Sequence, residues 1–159
     1  MNNQLADSRP LEVLLVEDNL NDVQLMRHGF TTSKLLLNLH HVGDGEQCLN
    51  FLRKQGQYFN APTPDLILLD LNMPRMGGRE VLMEMLADDN LSHLPVVVLT
   101  ASAQDRETFQ MYKLRCSSYI VKPIDFDQFL QVIGTIANYW FTVVVLPPSV
   151  ERAKGHAGA

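Results

Sequence analysis

Only two cysteines, Cys48 and Cys116, occur in 159 residues, so no disulfide framework is available to hold the chain. Cys48 shares helical spacing with Phe51 and Leu52 and reads as a small core residue. No apolar run approaches the ~18 residues that a bilayer span needs. The polar stretch 1–10 lacks the apolar heart of a secretory signal, and a cytoplasmic location with no membrane association is expected. Basic residues are not in excess: 13 Lys and Arg stand against 18 Asp and Glu, for a net charge of −5. They are scattered, which argues against nucleic acid as a partner. No glycine-rich loop follows the first apolar run, so a nucleotide or flavin cradle is not supported there. No internal repeat or low-complexity linker interrupts the chain. With 46% hydrophobic residues it can fill a core, and its length suits one domain.

What the sequence does contain is alternation. Apolar runs at 11–17, 37–43, 65–71, 95–101 and 118–122 are separated by helical patterns, the signature of an α/β fold. That repetition predicts a parallel sheet with right-handed crossovers and helices on both faces. The second run, Leu37-Asn38-Leu39-His40-His41-Val42, alternates in polarity and reads as a half-exposed edge strand. Capping-box spacings mark helix starts at Asp44 with Gln47, Ser102 with Asp105 and Asp125 with Gln128, and more weakly at Asn19 with Asp22. The last helix carries a stripe of Phe126, Phe129, Leu130, Ile133, Ile136, Ala137 and Trp140. Residues 56–64 form a longer loop. A flexible segment 1–10, a domain 11–141 and an extension 142–159 ending in a mobile tail are expected.

Three of the apolar runs stop at charge. Val13-Leu14-Leu15-Val16 ends in Glu17-Asp18, Leu66-Ile67-Leu68-Leu69 ends in Asp70, and Tyr119-Ile120-Val121 ends in Lys122-Pro123. In open α/β sheets ligands bind at the carboxyl ends of the strands, so these groups are expected to converge. Like charges about 4–5 Å apart repel by roughly 1–4 kcal/mol, and a cluster of Glu17, Asp18 and Asp70 calls for a cation or protonation. Mg²⁺ suits such oxygen donors, and Asn72 could add its backbone carbonyl. An aspartate can also attack a phosphoryl group, given a metal on one side and a fixed cation on the other. Lys122 fits that second part, and Thr100, closing Val96-Val97-Val98-Leu99, offers a hydroxyl for a phosphate oxygen. Taken singly, each residue has a plain structural explanation as a helix-start acid, a loop cap or a solvated edge charge. Asp70 stands as far from Asp18 as Lys122 does from Asp70, with the threonine between, and the set together is not accidental.

With Leu15-Val16-Glu17-Asp18-Asn19, Asp70-Leu71-Asn72-Met73-Pro74 and Gly78, Val98-Leu99-Thr100-Ala101 and Tyr119-Ile120-Val121-Lys122-Pro123, the chain resembles a response-regulator receiver domain of two-component signalling over residues 11–141. That resemblance implies a flavodoxin-like, doubly wound sheet of strand order 2-1-3-4-5. It implies Asp70 as the acceptor of phosphate from a histidine kinase or phosphotransfer protein. Mg²⁺ would be bound directly by Asp18 and Asp70, through water by Glu17 and by the carbonyl of Asn72. Thr100 and Lys122 would contact the phosphoryl group, and Tyr119 would be the switch aromatic. The Lys122–Pro123 bond is often cis in such proteins. The loop from Gln57 to Pro62, the segment Gly78-Arg79-Glu80-Val81-Leu82 and the tail from Tyr139 to Pro147 are similar to cyanobacterial phytochrome response regulators, implying a light-sensing kinase.

A phosphatase of haloacid-dehalogenase type shares the Asp, Mg²⁺ and Lys but needs a second aspartate where this chain has Asn72. Too few residues follow 141 for a DNA-binding or enzymatic output domain, so output is expected through the receiver surface. Tyr139, Trp140 and Phe141 cannot all face one side of a helix, and Val143-Val144-Val145-Leu146 follows. These residues, with Val143 and Val145, predict a two-fold homodimer interface. The alternative is a tail that folds back and hides the aromatics.

Overall fold

Three of the five apolar runs have no polar face, and these three occupy the centre of the sheet. In the computed structural model, which describes residues 10–33, 35–101, 104–143 and 146–147, β1 (Leu11–Val16), β3 (Leu66–Leu69) and β4 (Val96–Thr100) lie side by side. A strand buried on both faces must be apolar throughout, and β3 and β4 are buried at every position. The edges go to β2 (Leu37–Val42) and β5 (Ser118–Val121), giving the order β2-β1-β3-β4-β5. All four pairings are parallel. This is the expected flavodoxin-like fold, and β2 is the expected half-exposed edge.

Alternate residues of each strand face opposite layers. Leu14, Val16, Ile67, Leu69, Val96 and Val98 meet α2 (Gly45–Leu52), α3 (Gly78–Leu86) and α4 (Asp105–Lys113). Val13, Leu15, Leu66, Leu68, Val97 and Leu99 meet α1 (Leu20–Thr32) and α5 (Phe126–Asn138). Helices α1 and α5 approach closely because Gly29 has no side chain: a Cβ there would stand 2.7 Å from Ile133 Cγ2. Cys48 is fully buried among the first of these layers, as its spacing predicts.

The helix starts follow their caps in three cases. The Asn19 side chain accepts from the amides of Asn21 and Asp22, Asp44 from Gln47, and Asp125 from Gln128. Helix α4 differs. It opens at Asp105 behind Gln104, which makes no side-chain capping bond, and Ser102 lies outside the described residues. In the loop 56–64 a short 3-10 turn forms at Gly56–Tyr58.

Helix α5 corrects two expectations. Phe126 is exposed, because as the first helical residue it precedes the turn at which the helix reaches the sheet. Beyond Asn138 the chain makes one wide π-type turn, Tyr139–Val143. Trp140 and Phe141 follow the buried Ile136 and Ala137 by four residues and continue their stripe, packing against the same core. The Phe141 ring lies 6.1 Å from that of Phe30. Only Tyr139 of the three aromatics remains exposed, its ring edge-on to Trp140 at 5.7 Å. The open aromatic triplet is therefore reduced to one residue. Val143 closes the turn, while Val145 and the expected tail at 151–159 lie outside the described residues.

Candidate functional site at the carboxyl edge of the sheet

Parallel strands end on the same side, and β1, β3, β4 and β5 deliver Glu17, Asp70, Thr100 and Lys122 to one edge. Backbone bonds fix the ends: Asp70 N–H donates to Val16 O at 3.0 Å, and Lys122 N–H to Thr100 O at 2.7 Å. Glu17 is tied to the edge strand twice, its N–H to Val42 O at 3.1 Å and its carbonyl accepting from His41 Nε2 at 2.7 Å. Glu17, Asp18 and Asp70 each place one carboxylate oxygen within 4.8 Å of the others. Asp18 is the exposed member, while Glu17 and Asp70 are buried.

The loop after Asp70 is shaped by close packing. Gly78 N–H donates to Leu71 O at 3.0 Å, and a Cβ on Gly78 would sit 2.7 Å from the Asp70 carbonyl oxygen. Any side chain there would push the backbone of Asp70 itself. The Asn72 amide hydrogen-bonds to the Asp70 carboxylate.

Lys122 is largely buried and faces three carboxylates. Its Nζ donates to Glu17 Oε2 at 2.5 Å and Asp22 Oδ2 at 2.9 Å, and stands 4.0 Å from Asp70 Oδ2. Asp22 is the residue that sequence spacing misassigns. Its place three residues after Asn19 suggests the return half of a capping box, but the Asn19 N–H is taken by Glu17 Oε1 at 3.1 Å. The Asp22 carboxylate turns instead to a lysine 100 positions away. A carboxylate on the inward side of the first turn was the only local signal.

The electrostatics register crowding. Burial pushes the Glu17 carboxyl up to about 7, opposed by Lys122 and reinforced by Asp70. Asp70 is likewise held above the usual carboxylate range by burial, against the pull of Lys122, the Asn72 amide and a hydrogen bond with Glu17. Burial would lower Lys122, but its hydrogen bonds to Glu17 and Asp22 and the nearby charges carry it upward. One ammonium does not neutralise this cluster.

Thr100 is fully buried, and its hydroxyl has no hydrogen-bond partner among the described residues. An unsatisfied buried hydroxyl costs about 1–3 kcal/mol, a cost that a ligand oxygen would remove. Tyr119 is half-buried on β5 against the α2–α4 layer, with its amide donating to Tyr112 Oη at 3.3 Å. The Lys122–Pro123 bond is trans, as are all peptide bonds among the described residues. Trans is the lower-energy form before proline, and Lys122 reaches Glu17 and Asp22 with it.

The family model for the response regulator receiver domain matches residues 13–134. Response regulator Rcp1 of Synechocystis sp. (strain PCC 6803) is 38% identical over 138 residues, spanning 87% of this chain and 94% of that protein. Among solved structures, the phosphorylated cyanobacterial phytochrome response regulator RcpA is similar with TM-score 0.84 at 38% identity, covering 87% of this chain and 99% of that one. The Mn²⁺-bound form of response regulator Rcp1 gives TM-score 0.83 at 38% identity, with the same coverage. No helix among the described residues is long and apolar enough to cross a membrane. By its sheet order, its strand-end residues and these matches, the chain belongs to the response-regulator receiver domain family.

Proposed function

We propose that this chain is a single-domain response regulator of the cytoplasm that accepts one phosphoryl group on Asp70 from a histidine kinase of phytochrome type. It catalyses only its own phosphorylation and dephosphorylation. The observation that carries the reading is a buried Thr100 hydroxyl, without a partner among the described residues, at the same strand-end edge as a largely buried ammonium 4.0 Å from Asp70. The hydroxyl and the third N–H of the ammonium are donors available to an oxygen at the edge that carries Asp70. The kinase class is supported by the phytochrome regulator among the similar structures. A protein donor is supported by two exposed apolar side chains near the site, Leu20 at the start of α1 and Ile124 after Lys122.

In the transfer, an Asp70 carboxylate oxygen forms a bond to phosphorus as the bond from phosphorus to the donor's histidine nitrogen breaks. The electron pair of that bond stays on the imidazole. Lys122 donates to one oxygen of the moving group and Thr100 to another, placing fixed donors where charge is spread. The donor set fits Mg²⁺, which is hard and takes carboxylate and carbonyl oxygens. Asp18 and Asp70 would hold it directly, Glu17 through water and Asn72 by its carbonyl, since three carboxylates within 4.8 Å of one another carry more negative charge than the one Lys122 ammonium offsets. When bound, Mg²⁺ supplies the charge neutralisation that lets an anionic donor approach. A small phosphodonor with Mg²⁺ should add one hydroxylamine-labile phosphoryl group per chain, and chelation should prevent it. Repeated turnover of phosphomonoesters would instead favour a phosphatase.

Thr100→Ala separates chemistry from signalling. The variant should still accept phosphate, because Lys122 remains, but should lose most of the coupling to partner binding. The Thr100 hydroxyl is expected to follow the phosphoryl group, and Tyr119 to change rotamer with it, a shift that only differential contacts can drive. Partner affinity with and without phosphate measures this. An unaltered phosphorylation response in Thr100→Ala would remove the switch from this site.

The segment 142–159 is proposed to serve dimerisation. The support is the exposed Tyr139 ring at the end of α5, continuous with Val143-Val144-Val145-Leu146. Residues 139–147 would build a two-fold homodimer, with Trp140 and Phe141 contributing from their half-buried positions. Sedimentation of the full chain should show a dimer, and a chain ending at Asn138 should be monomeric. A full-length monomer at high micromolar concentration would refute the assembly.

A further inference from the structure

We propose that Asp22 is a positioning residue for phosphoryl uptake: it holds the Lys122 ammonium away from Asp70, leaving the nucleophile without a bond to the lysine and one ammonium N–H directed at the incoming group. The inference rests on the reading of Asp70 as the phosphoacceptor.

An ammonium has three N–H donors. Two are spent, on Glu17 Oε2 at 2.5 Å and on Asp22 Oδ2 at 2.9 Å. Two fixed bonds from a tetrahedral nitrogen also fix the direction of the third. The Asp70 oxygen lies at 4.0 Å, beyond hydrogen-bond contact, so Lys122 does not cap the nucleophile. That gap suits an ammonium that will bond an oxygen of a group attached to Asp70, and Lys122 need not retreat first. Asp22 is free for this task because Glu17 Oε1 satisfies the Asn19 amide that a capping-box partner would have taken. Its place in the first turn of α1 further favours the carboxylate, since helix amides there point toward negative charge. With Asp22 shortened, the freed donor has Asp70 as its nearest remaining carboxylate. Lys122 then closes on the nucleophile, masking its charge and spending the N–H meant for the phosphoryl oxygen.

The test compares wild type, Asp22→Ala and Asp22→Asn with phosphoramidate and Mg²⁺, reading the phosphorylation rate by intact mass and folding by thermal melting. Asn keeps an oxygen acceptor at the same reach without the charge. Asp22→Ala should slow uptake about tenfold, the scale of a small displacement of a catalytic group. Asp22→Asn should return the rate to within about twofold of wild type. Such rescue at equal melting temperatures is not what a merely structural role produces. Ala at the wild-type rate, Ala faster than wild type, or Asn as slow as Ala would each overturn the proposal. The first two dispense with positioning, and the third makes the charge the operative feature. A wild-type chain that takes no phosphate would instead overturn the Asp70 reading.

Discussion

Asp70→Asn will abolish phosphoryl uptake and, in the absence of metal, will raise the melting temperature. The first effect follows from chemistry, since an amide oxygen lacks the charge and the lone-pair reactivity of a carboxylate nucleophile. The second follows from the crowding that makes the site useful. Asp70 is held above the usual carboxylate range mainly by burial, with the Asp18 charge adding to it. A carboxyl raised on folding contributes stability that is full below its unfolded pKa and is lost as pH rises through its folded pKa. Glu17 behaves alike, its window running from 4.5 to about 7. At neutral pH both groups therefore work against the fold, and neutralising Asp70 relieves them. A rise on the order of 2–4 °C is expected for a chain of this length. The gain should vanish at pH values below the ordinary carboxylate value of 3.8 and grow as pH rises above it, as melting curves of the two proteins from acid to neutral pH will show. An equal or lower melting temperature at high pH would mean that Lys122 already balances the cluster.

Lys122→Ala will cut the rate of uptake by about 10²–10³-fold, the usual cost of removing one fixed donor from a site of developing charge. The loss should exceed that of Thr100→Ala, because the ammonium supplies charge as well as a hydrogen bond. Metal affinity should move the other way. Glu17 and Asp22 lose their shared cation, and the acid cluster then binds Mg²⁺ more tightly. Calorimetric titration with Mg²⁺ alongside the transfer rate gives both quantities. Weakened metal binding together with slow transfer would indicate a collapsed site rather than a missing cation.

The sequence shows the sheet and the site to different depths. The central strands were legible because β3 and β4 carry no polar face, and only strands covered on both sides can be built so. Strand ends were legible because charge cannot continue into such a strand, which is why Glu17, Asp70 and Lys122 stood out together. Asn19, Asp44 and Asp125 were legible as caps, since a cap acts within three residues of itself. The role of Asp22 was not, because its partner arrives from the far end of the chain and its nearest neighbours offer a sufficient local explanation. Nor was the start of α4, which Gln104 precedes without a capping bond. The aromatic triplet misled for a related reason. Three consecutive aromatics cannot all face one side of a helix, which suggested exposure, while Phe30 of α1, distant in sequence, gives Phe141 a surface to pack on.

The most direct test of the whole account is to locate the phosphoryl group. After treatment with a phosphorylated phytochrome-type histidine kinase or phosphoramidate in the presence of Mg²⁺, borohydride reduction converts an aspartyl phosphate to homoserine, which peptide mass spectrometry can place. The account predicts homoserine at position 70 and nowhere else, absent from Asp70→Asn and from samples treated with chelator. Homoserine at Asp18 or Asp22, or stable labelling of Asp70→Asn, would contradict it.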